Sequence, residues 1–266
     1  MRHCFRSRTC ALALSLGFAF PLQLSAQESN PGSSTRKRQV SSHALFTSGN
    51  SALNIPLEID NNIILMQVSV NNSKPLRFIF DTGASHTILH SRRGAELGLK
   101  PEEKVDGMAT GGPIEGSLTS GVTLKAEGAE VLNQQIGLID FPVPPGFEFD
   151  GVIGYDFINE FVVEIDYLKK IMNLYDPRSY RYGGTGEIIP LSIAGRRIPF
   201  VNTTIVFEKG PPVEARLEVD TGADRTIIFS SPFVAKQQLV NRIMGTTEGG
   251  GRGAGGEQKI LVGKIK

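Results

Sequence analysis

The sequence predicts an all-β fold with a few short helices, and three observations support this class. Glycine and proline are frequent, with 30 and 15 among 266 residues, which favours short strands joined by turns over long helices. Apolar and polar residues alternate over short segments, and turn residues recur roughly every 8–12 residues. A passage of the first half of the chain also recurs in the second half. Such a repeat predicts two structural units of similar build.

The overall composition excludes several classes of function. Lys and Arg number 28 against 27 Asp and Glu, for a net charge of +1. This balance, without a stripe of basic and aromatic residues, argues against a nucleic-acid partner. The chain has no run of about 18 apolar residues, so no ordinary membrane span is predicted. An apolar fraction of 40% is sufficient to build a hydrophobic core.

Residues 1–26 have the pattern of a secretory signal peptide. Basic residues are followed by an apolar run of about 15 residues and then by small residues. Cleavage after about Ala26 predicts an exported protein, periplasmic or secreted. It would remove Cys4 and Cys10, which leaves a mature chain without disulfides, without cysteine metal sites and without a stable membrane span. An uncleaved anchor is the alternative, and the short run interrupted by Pro21 disfavours it.

The rest of the chain divides into four predicted segments. Residues 27–53 are rich in serine without a sustained apolar period, which predicts a disordered linker. A first lobe is predicted over residues 54–176, an inter-lobe linker over 177–186 and a second lobe over 187–266.

The first lobe begins with three predicted strands. Residues 55–59 alternate apolar and polar side chains, as a half-buried strand does. The turn residues 60–62 lead to a strand over 63–70, and the turn 71–75 leads to a strand over 76–80. We predict a meander of antiparallel strands that ends at Asp81.

The second lobe repeats this passage. Ile55-Pro56-Leu57-Glu58-Ile59 is matched by Ile189-Pro190-Leu191-Ser192-Ile193. Further along, Asp81-Thr82-Gly83-Ala84 is matched by Asp220-Thr221-Gly222-Ala223. Both four-residue motifs follow a predicted strand and precede another apolar segment. One such motif arises easily by chance, whereas two in matching contexts indicate shared chemistry.

Each repeat resembles a lobe of the retropepsin-type aspartic proteases. The likeness rests on an apolar strand, then Asp-Thr-Gly-Ala, then a second apolar strand. The first repeat also has the family's second landmark, Val152-Ile153-Gly154, which flanks the catalytic loop in that family. The resemblance covers residues 54–176 as a whole lobe and 187–266 as a partial one. It implies two β-barrel lobes in tandem, the second incomplete.

The resemblance further implies an aspartic endopeptidase for peptide or protein substrates, with catalytic Asp81 and Asp220 and no cofactor. Two carboxylates in one site cannot both ionise readily, so the pair holds one proton. The ionised member activates a water, and the protonated member hydrogen-bonds the substrate carbonyl. Because the titration is coupled, the sequence assigns the proton to neither residue alone.

The neighbours of the two aspartates have supporting roles in the family. Thr82 and Thr221 interlock the two loops through hydrogen bonds. Gly83 and Gly222 permit a tight turn or a close backbone approach.

Ala84 and Ala223 stand where pepsin-like relatives have serine. One hydrogen bond to the charged carboxylate is then missing, which makes the pair less acidic. The resemblance therefore implies a mildly acidic pH optimum.

Each repeat also has a glycine-rich stretch where the family has a flap over the substrate. A hairpin there can close over a peptide and exclude water; the alternative is an unstructured glycine loop. The second stretch formally matches G-x-G-x-x-G, but no helix pattern follows, so a dinucleotide site is rejected. The candidate flap residues are Gly111, Gly112, Ile114, Gly251 and Gly253.

No metal site is predicted. His86 and His90 are four residues apart, but in a strand this spacing holds them too far apart to share an ion, so we interpret them as ordinary polar residues. Asp150, Asp156 and Asp166 are interpreted as turn and surface acids.

The second repeat ends before any counterpart of Val152-Ile153-Gly154. We therefore expect the sequence to be a C-terminally truncated part of a longer chain that is monomeric when complete. If the chain ends at Lys266, the first lobe could instead form a homodimer that pairs Asp81 with its own copy. A non-catalytic peptide-binding module is the alternative from another functional class.

Overall fold

The computed structural model describes residues 10–15, 23–26, 43–193, 195, 197–207 and 209–265. Strands dominate this part of the chain and its helices are short, so the prediction of an all-β fold is confirmed. None of the described helices is long and apolar enough to cross a membrane. The helices are α1 (Ser91–Glu96), α2 (Tyr155–Ile158), α3 (Ser231–Gln237) and a single 3-10 helix (Leu239–Arg242).

Two strands precede the main body, β1 (Cys10–Ser15) and β2 (Gln23–Ala26). They fall within the predicted signal peptide, whose other residues lie outside the described part of the chain, as do residues 27–42. The signal peptide stays a prediction. A chain cut after Ala26 would lack both strands.

We call residues 43–176 the first half. Its strands are β3 (His43–Phe46), β4 (Ser51–Pro56), β5 (Glu58–Asp60), β6 (Ile63–Val70), β7 (Leu76–Phe80), β8 (Ile88–His90), β9 (Glu103–Ala109), β10 (Gly112–Ala126), β11 (Ala129–Ile139), β12 (Gly151–Ile153), β13 (Val162–Asp166) and β14 (Ile171–Tyr175).

The predicted meander is present with the expected bounds at β6 and β7. Asn61, Asn62 and Asn71 have positive φ angles, which asparagine tolerates in tight turns, so the chain reverses before and after β6. Phe78 and Phe80 in β7 are fully buried and anchor the strand in the core. The catalytic-motif candidate at Asp81 therefore follows directly from a buried strand.

The linker prediction is wrong in its last part, because residues 43–46 and 51–53 belong to strands. β3 pairs with β11, and β4 pairs with β14. Since Ala52 and Ile55 in β4 are buried, this segment contributes to the core and is not a flexible connection.

The main sheet of the first half closes on itself. Its order runs β10–β11–β8–β12–β7–β6, and β10 also pairs with β6, which completes a ring of strands around a hydrophobic core. Within the ring, β12 lies between β7, to which it is parallel, and β8, to which it is antiparallel. This position places β12 directly beside the loop that begins at Asp81.

We call residues 187–265 the second half, and its elements follow the order β6–β7–β8–α1–β9–β10. α3 and the 3-10 helix stand at the place of α1, and Val213, Phe229 and Leu239 belong to its separate core. The strands are β15 (Ser192–Ile193), β16 (Pro199–Ile205), β17 (Val213–Glu218), β18 (Ile227–Phe229), β19 (Met244–Gly253) and β20 (Gly256–Ile265).

The second half differs from the first in what surrounds these strands. Between 187 and 265 the described residues contain no counterpart of β11–β14. β1 runs parallel to β18 and antiparallel to β20, as β11 does to β8 and β10. The predicted strand over 189–193 is reduced to the two residues of β15, and Ile189 and Leu191 are exposed.

Candidate active site

The loop that starts at Asp81 lies beside the end of β12 and is joined to it by hydrogen bonds. The Asp81 N–H donates to the carbonyl of Ile153 at 3.0 Å, and the Gly154 N–H donates to Thr87 Oγ1 at 3.1 Å. A side chain at position 154 would begin 2.4 Å from the His86 carbonyl oxygen, so only glycine fits there. Val152, which precedes Ile153 in β12, is partly buried and packs against a neighbouring apolar cluster. The structure thus places Val152-Ile153-Gly154 against the Asp81 loop.

Thr82 and Thr221 join the loops of the two halves through reciprocal hydrogen bonds. The N–H of Thr82 donates to Thr221 Oγ1 at 3.1 Å, and the N–H of Thr221 donates to Thr82 Oγ1 at 3.0 Å. Each hydroxyl also donates across to the other strand, to the carbonyls of Val219 and Phe80. Four hydrogen bonds from two short side chains fix the relative position of the loops.

The two glycines allow each aspartate to occupy space on the opposite loop. A Cβ at Gly222 would lie 2.3 Å from Asp81 Cγ, and a Cβ at Gly83 would lie 2.8 Å from Asp220 Cγ. Neither glycine has a positive φ angle, so the requirement is the close approach alone. The Gly83 N–H donates to Asp81 Oδ1 at 2.7 Å, and the Gly222 N–H donates to Asp220 Oδ1 at 2.8 Å.

The carboxyl groups of Asp81 and Asp220 share a hydrogen bond. Burial raises the pKa of Asp81 well above its ordinary value, and the negative charge of Asp220 raises it further; the Gly83 N–H opposes the rise. Burial also raises the pKa of Asp220, while hydrogen bonds from Asp81 and from the N–H groups of Gly222 and Ala223 oppose it. Asp81 is half-buried and Asp220 keeps an exposed surface, which agrees with the larger rise at Asp81.

Both glycine-rich stretches form hairpins, and their tips meet. The first hairpin joins β9 to β10 through Thr110 and Gly111, and the second joins β19 to β20 through Ala254 and Gly255. The Gly255 N–H donates to the Thr110 carbonyl at 2.9 Å. A Cβ at Gly253 would lie 2.2 Å from that same carbonyl oxygen, so the contact requires small residues.

The candidate flap residues divide between tip and stem. Gly111, Gly112 and Gly253 lie at the meeting point of the two hairpins. Ile114 is buried in an apolar cluster against which Ala254 of the second tip packs. Gly251 pairs with Gln258 in the stem of the second hairpin and lies away from the contact.

Asp156 is mostly buried and has several partners, so the prediction of a turn or surface acid is wrong for it. Its side chain is only 13% exposed and its Oδ2 lies 3.1 Å from His86 Nδ1. The Thr87 N–H donates to the same oxygen at 3.2 Å, and Arg197 of the second half donates to Oδ1 at 3.1 Å. Asp156 therefore ties the end of the Asp81 loop to the second half, a contact between residues too far apart in sequence to be recognised from a pattern.

The other acids and histidines have structural contacts. Asp150 binds Arg93 and accepts from the Arg77 N–H, and Asp166 caps the turn between β13 and β14. His90 accepts a hydrogen bond at the start of α1. Among the described residues, no group of three His, Cys, Asp or Glu side chains is arranged to hold a metal ion.

Residues 66–157 match the family model described as aspartyl protease. The match contains the Asp81 motif and the landmark at β12, the two features that the geometry brings together. This region of the chain is therefore similar to the aspartyl proteases. The second motif, at Asp220, lies outside the matched region of this family.

One solved structure similar to this chain is the crystal structure of a retropepsin-like aspartic protease from Rickettsia conorii. It is 16% identical, with a TM-score of 0.32, over 50% of this chain and 92% of the other. No curated protein matches the sequence.

Proposed function

We propose that this chain is an aspartic endopeptidase whose catalytic pair is Asp81 and Asp220. One observation carries the proposal: two carboxyl groups from repeated motifs share a hydrogen bond where the loops of the two halves interlock. Adjacent acids with raised pKa values retain one proton between them, which is the state that acid–base catalysis on a peptide bond requires.

The geometry supports a definite starting state. Asp81 is the more deeply buried residue, and Asp220 receives two backbone N–H bonds that favour its charged form. The shared proton therefore favours the Asp81 side in the free enzyme, and Asp220 is the ionised base. Asp220 accepts a proton from water as the water oxygen bonds to the peptide carbon, while Asp81 donates its proton to the carbonyl oxygen. Asp220 then donates this proton to the amine nitrogen, and Asp81 recovers a proton from one hydroxyl of the tetrahedral diol. The carbon–nitrogen bond breaks as the carboxylic acid forms, and both aspartates return to their starting state.

The two hairpins support a peptide or protein substrate held in extended form. Their tips meet, and closed hairpins exclude water from a site beneath them. We propose that residues 43–176 and 187–265 act as two lobes that enclose the substrate, connected by residues 177–186. In this arrangement one chain supplies both aspartates and is active as a monomer.

The test is peptide cleavage by Asp81→Asn and Asp220→Asn in the full chain. Each substitution keeps the shape and removes the carboxylate, so we expect a loss of about 10²- to 10⁴-fold in kcat. Circular dichroism and urea unfolding check that the variants fold. Asp166→Asn, in a turn remote from the two aspartates, is the control and should leave kcat unchanged.

The outcomes separate the alternatives. Full activity in Asp220→Asn, together with a dimeric mass in solution, would show a homodimer that uses Asp81 twice. Peptide binding by the wild type without any turnover would identify a binding module and overturn the proposal.

We also propose that the protein is exported with removal of residues 1–26. The signal-like pattern of the sequence supports this proposal. Expression with the native N-terminus in a bacterial host, followed by N-terminal sequencing of the periplasmic and medium fractions, should find Gln27 as the first residue. Recovery of only the full-length chain in the cytoplasm would contradict it.

A further inference from the structure

The side chains of Glu218 and Asp220 point to the same side of the backbone. β17 ends at Glu218, and successive side chains of an extended strand alternate between its two sides, so residues two apart point the same way. Both carboxylates approach Gly83: a Cβ there would lie 2.8 Å from Asp220 Oδ1 and 2.9 Å from Glu218 Oε1. The two carboxylates therefore lie within about 6 Å of each other, close enough for one charge to act on the other.

The first half has an apolar residue at the repeated position. Ile79 precedes Asp81 by two residues, as Glu218 precedes Asp220. In the sheet, Ile79 pairs with Val152, which packs against the apolar cluster containing Ile88 and Ile114. The two sides of the dyad thus differ in chemistry, one apolar and one anionic.

The charged residues Arg216, Asp224 and Arg225, which flank Glu218 in the sequence, have contacts of their own. Arg216, two residues earlier on the same side of β17, stacks its guanidinium 3.9 Å from the centre of the Phe200 ring. Asp224 and Arg225, beyond the loop, pair with each other at 3.3 Å. Besides Asp220, Glu218 is the side chain whose negative charge raises the pKa of Asp81, so its field reaches the reacting groups.

We propose that Glu218 makes the enzyme select peptides with a lysine or arginine side chain beside the scissile bond, on the side formed by the second half. Glu218 is half-buried, so a substrate cation that reaches it exchanges water for a partly desolvated carboxylate, and such charged hydrogen bonds are stronger than neutral ones. An acidic side chain there would be repelled. This inference rests on the proposed endopeptidase function and adds its substrate class.

The experiment uses the full-length chain and three peptides built from a cleavage site that the wild type itself selects in a peptide library. The peptides differ only in having Lys, Leu or Glu at the residue that contacts the second half. We expect kcat/KM to be about 10- to 100-fold higher for Lys than for Glu. Glu218→Gln should remove about 10-fold from the Lys peptide and leave the Leu peptide within about 3-fold. Glu218→Lys should reverse the order of Lys and Glu.

Two controls separate specificity from a structural role. Glu218→Ile installs the residue type of the first half and should favour the Leu peptide. Glu214→Gln makes the same charge change on the same side of β17, about 13 Å further along the strand, and should leave all three rates unchanged. A library without enrichment of Lys or Arg, or an equal loss on the Lys and Leu peptides in Glu218→Gln, overturns the inference.

The inference also has a readout that does not depend on turnover. If the wild type cleaves no peptide, the proposed function fails and no cleavage site is defined. A peptide selected from the library by binding to the full-length Asp220→Asn protein is then varied to Lys, Leu and Glu at each position in turn, and binding of these variants decides the matter for Glu218. Tighter binding of the Lys peptide, lost when Glu218→Gln is added, supports the selection. Equal binding of the Lys and Glu peptides overturns it.

Discussion

Ile55 and Ile189 occupy the same place in a repeated five-residue passage, yet their environments are opposite. Ile55 is 2% exposed and Ile189 is 61% exposed. In the first half β14 pairs with β4 and covers this segment. In the second half the only described strand within the passage is β15 (Ser192–Ile193), and its partner is β16.

The difference teaches that burial is decided by the covering strand and not by the local pattern. Both passages alternate apolar and polar residues, and both predict half-buried strands. Residues 55–56 belong to β4 and pair with β14, whereas residues 189–191 belong to no described strand. Backbone groups without a partner strand gain no ladder hydrogen bonds. At the two aspartate loops, in contrast, the two halves are nearly equivalent, since each glycine makes room for the aspartate of the other half.

The largest expected effect separates the two isoleucines. Ile55→Ala should lower the free energy of unfolding by about 2–5 kcal/mol, because it removes buried methyl groups and leaves a cavity. Ile189→Ala should change it by less than about 0.5 kcal/mol, because the side chain is already in water. Urea unfolding of the full chain measures both. A cost at Ile189 equal to that at Ile55 would mean that another surface covers it in solution.

The second comparison concerns the glycines of the two loops. Gly222→Ala should lower kcat by about 10²-fold, because the new methyl group displaces the Asp81 carboxyl from its position. Gly83→Ala should cost less, since its Cβ would lie 0.5 Å further from the facing carboxyl carbon (2.8 Å against 2.3 Å). Peptide hydrolysis measures both, and Gly183→Ala is the control because nothing lies within 4 Å of its Cβ. Equal activity in all three variants would show that the loops adjust freely.

The smallest effect concerns the pH dependence of stability. Because the pKa of Asp81 is raised in the folded protein, the folded chain holds a proton that the unfolded chain loses as pH rises above about 3.9. Ionised Asp81 then destabilises the fold by about 1.4 kcal/mol for each unit of the rise. Asp81→Asn should therefore have a higher Tm than the wild type near neutral pH, and the gain should disappear as pH falls below about 4.

Thermal unfolding between acidic and neutral pH measures this gain. Glu127→Gln, an exposed carboxylate on the turn between β10 and β11, is the control and should show no comparable change. A wild type more stable than Asp81→Asn at neutral pH would contradict the raised pKa.

Local features of the site were predictable from the sequence. Alternation and turn residues gave β6 and β7 with their bounds, and the repeat indicated both aspartates together. The position of Glu218 beside Asp220 also follows from their spacing of two residues, although no motif singles Glu218 out. These signals are short-range, so one strand and its flanking turns contain them.

Contacts between distant segments were not predictable. Asp156 meets His86 and Arg197 only because β12 places α2 against the Asp81 loop and the second half packs there. The tips of the two hairpins meet through the hydrogen bond from Gly255 to Thr110, and no periodicity in either stretch encodes that meeting. The strand content of residues 43–53 was missed because a serine-rich segment needs β11 and β14 as partners before it becomes a strand.

The hydrogen bond between Thr110 and Gly255 also bears on how easily the two hairpin tips separate. A single amide–carbonyl bond contributes only about 1 kcal/mol in water, so the tips part often, on the microsecond to millisecond timescale of such loops. If the chain is the endopeptidase proposed above, a narrow extended segment would pass between the parted tips more easily than a compact folded domain. The rate at which a client protein is cut would then depend on how often the client exposes an unfolded stretch, and so on the client's local stability.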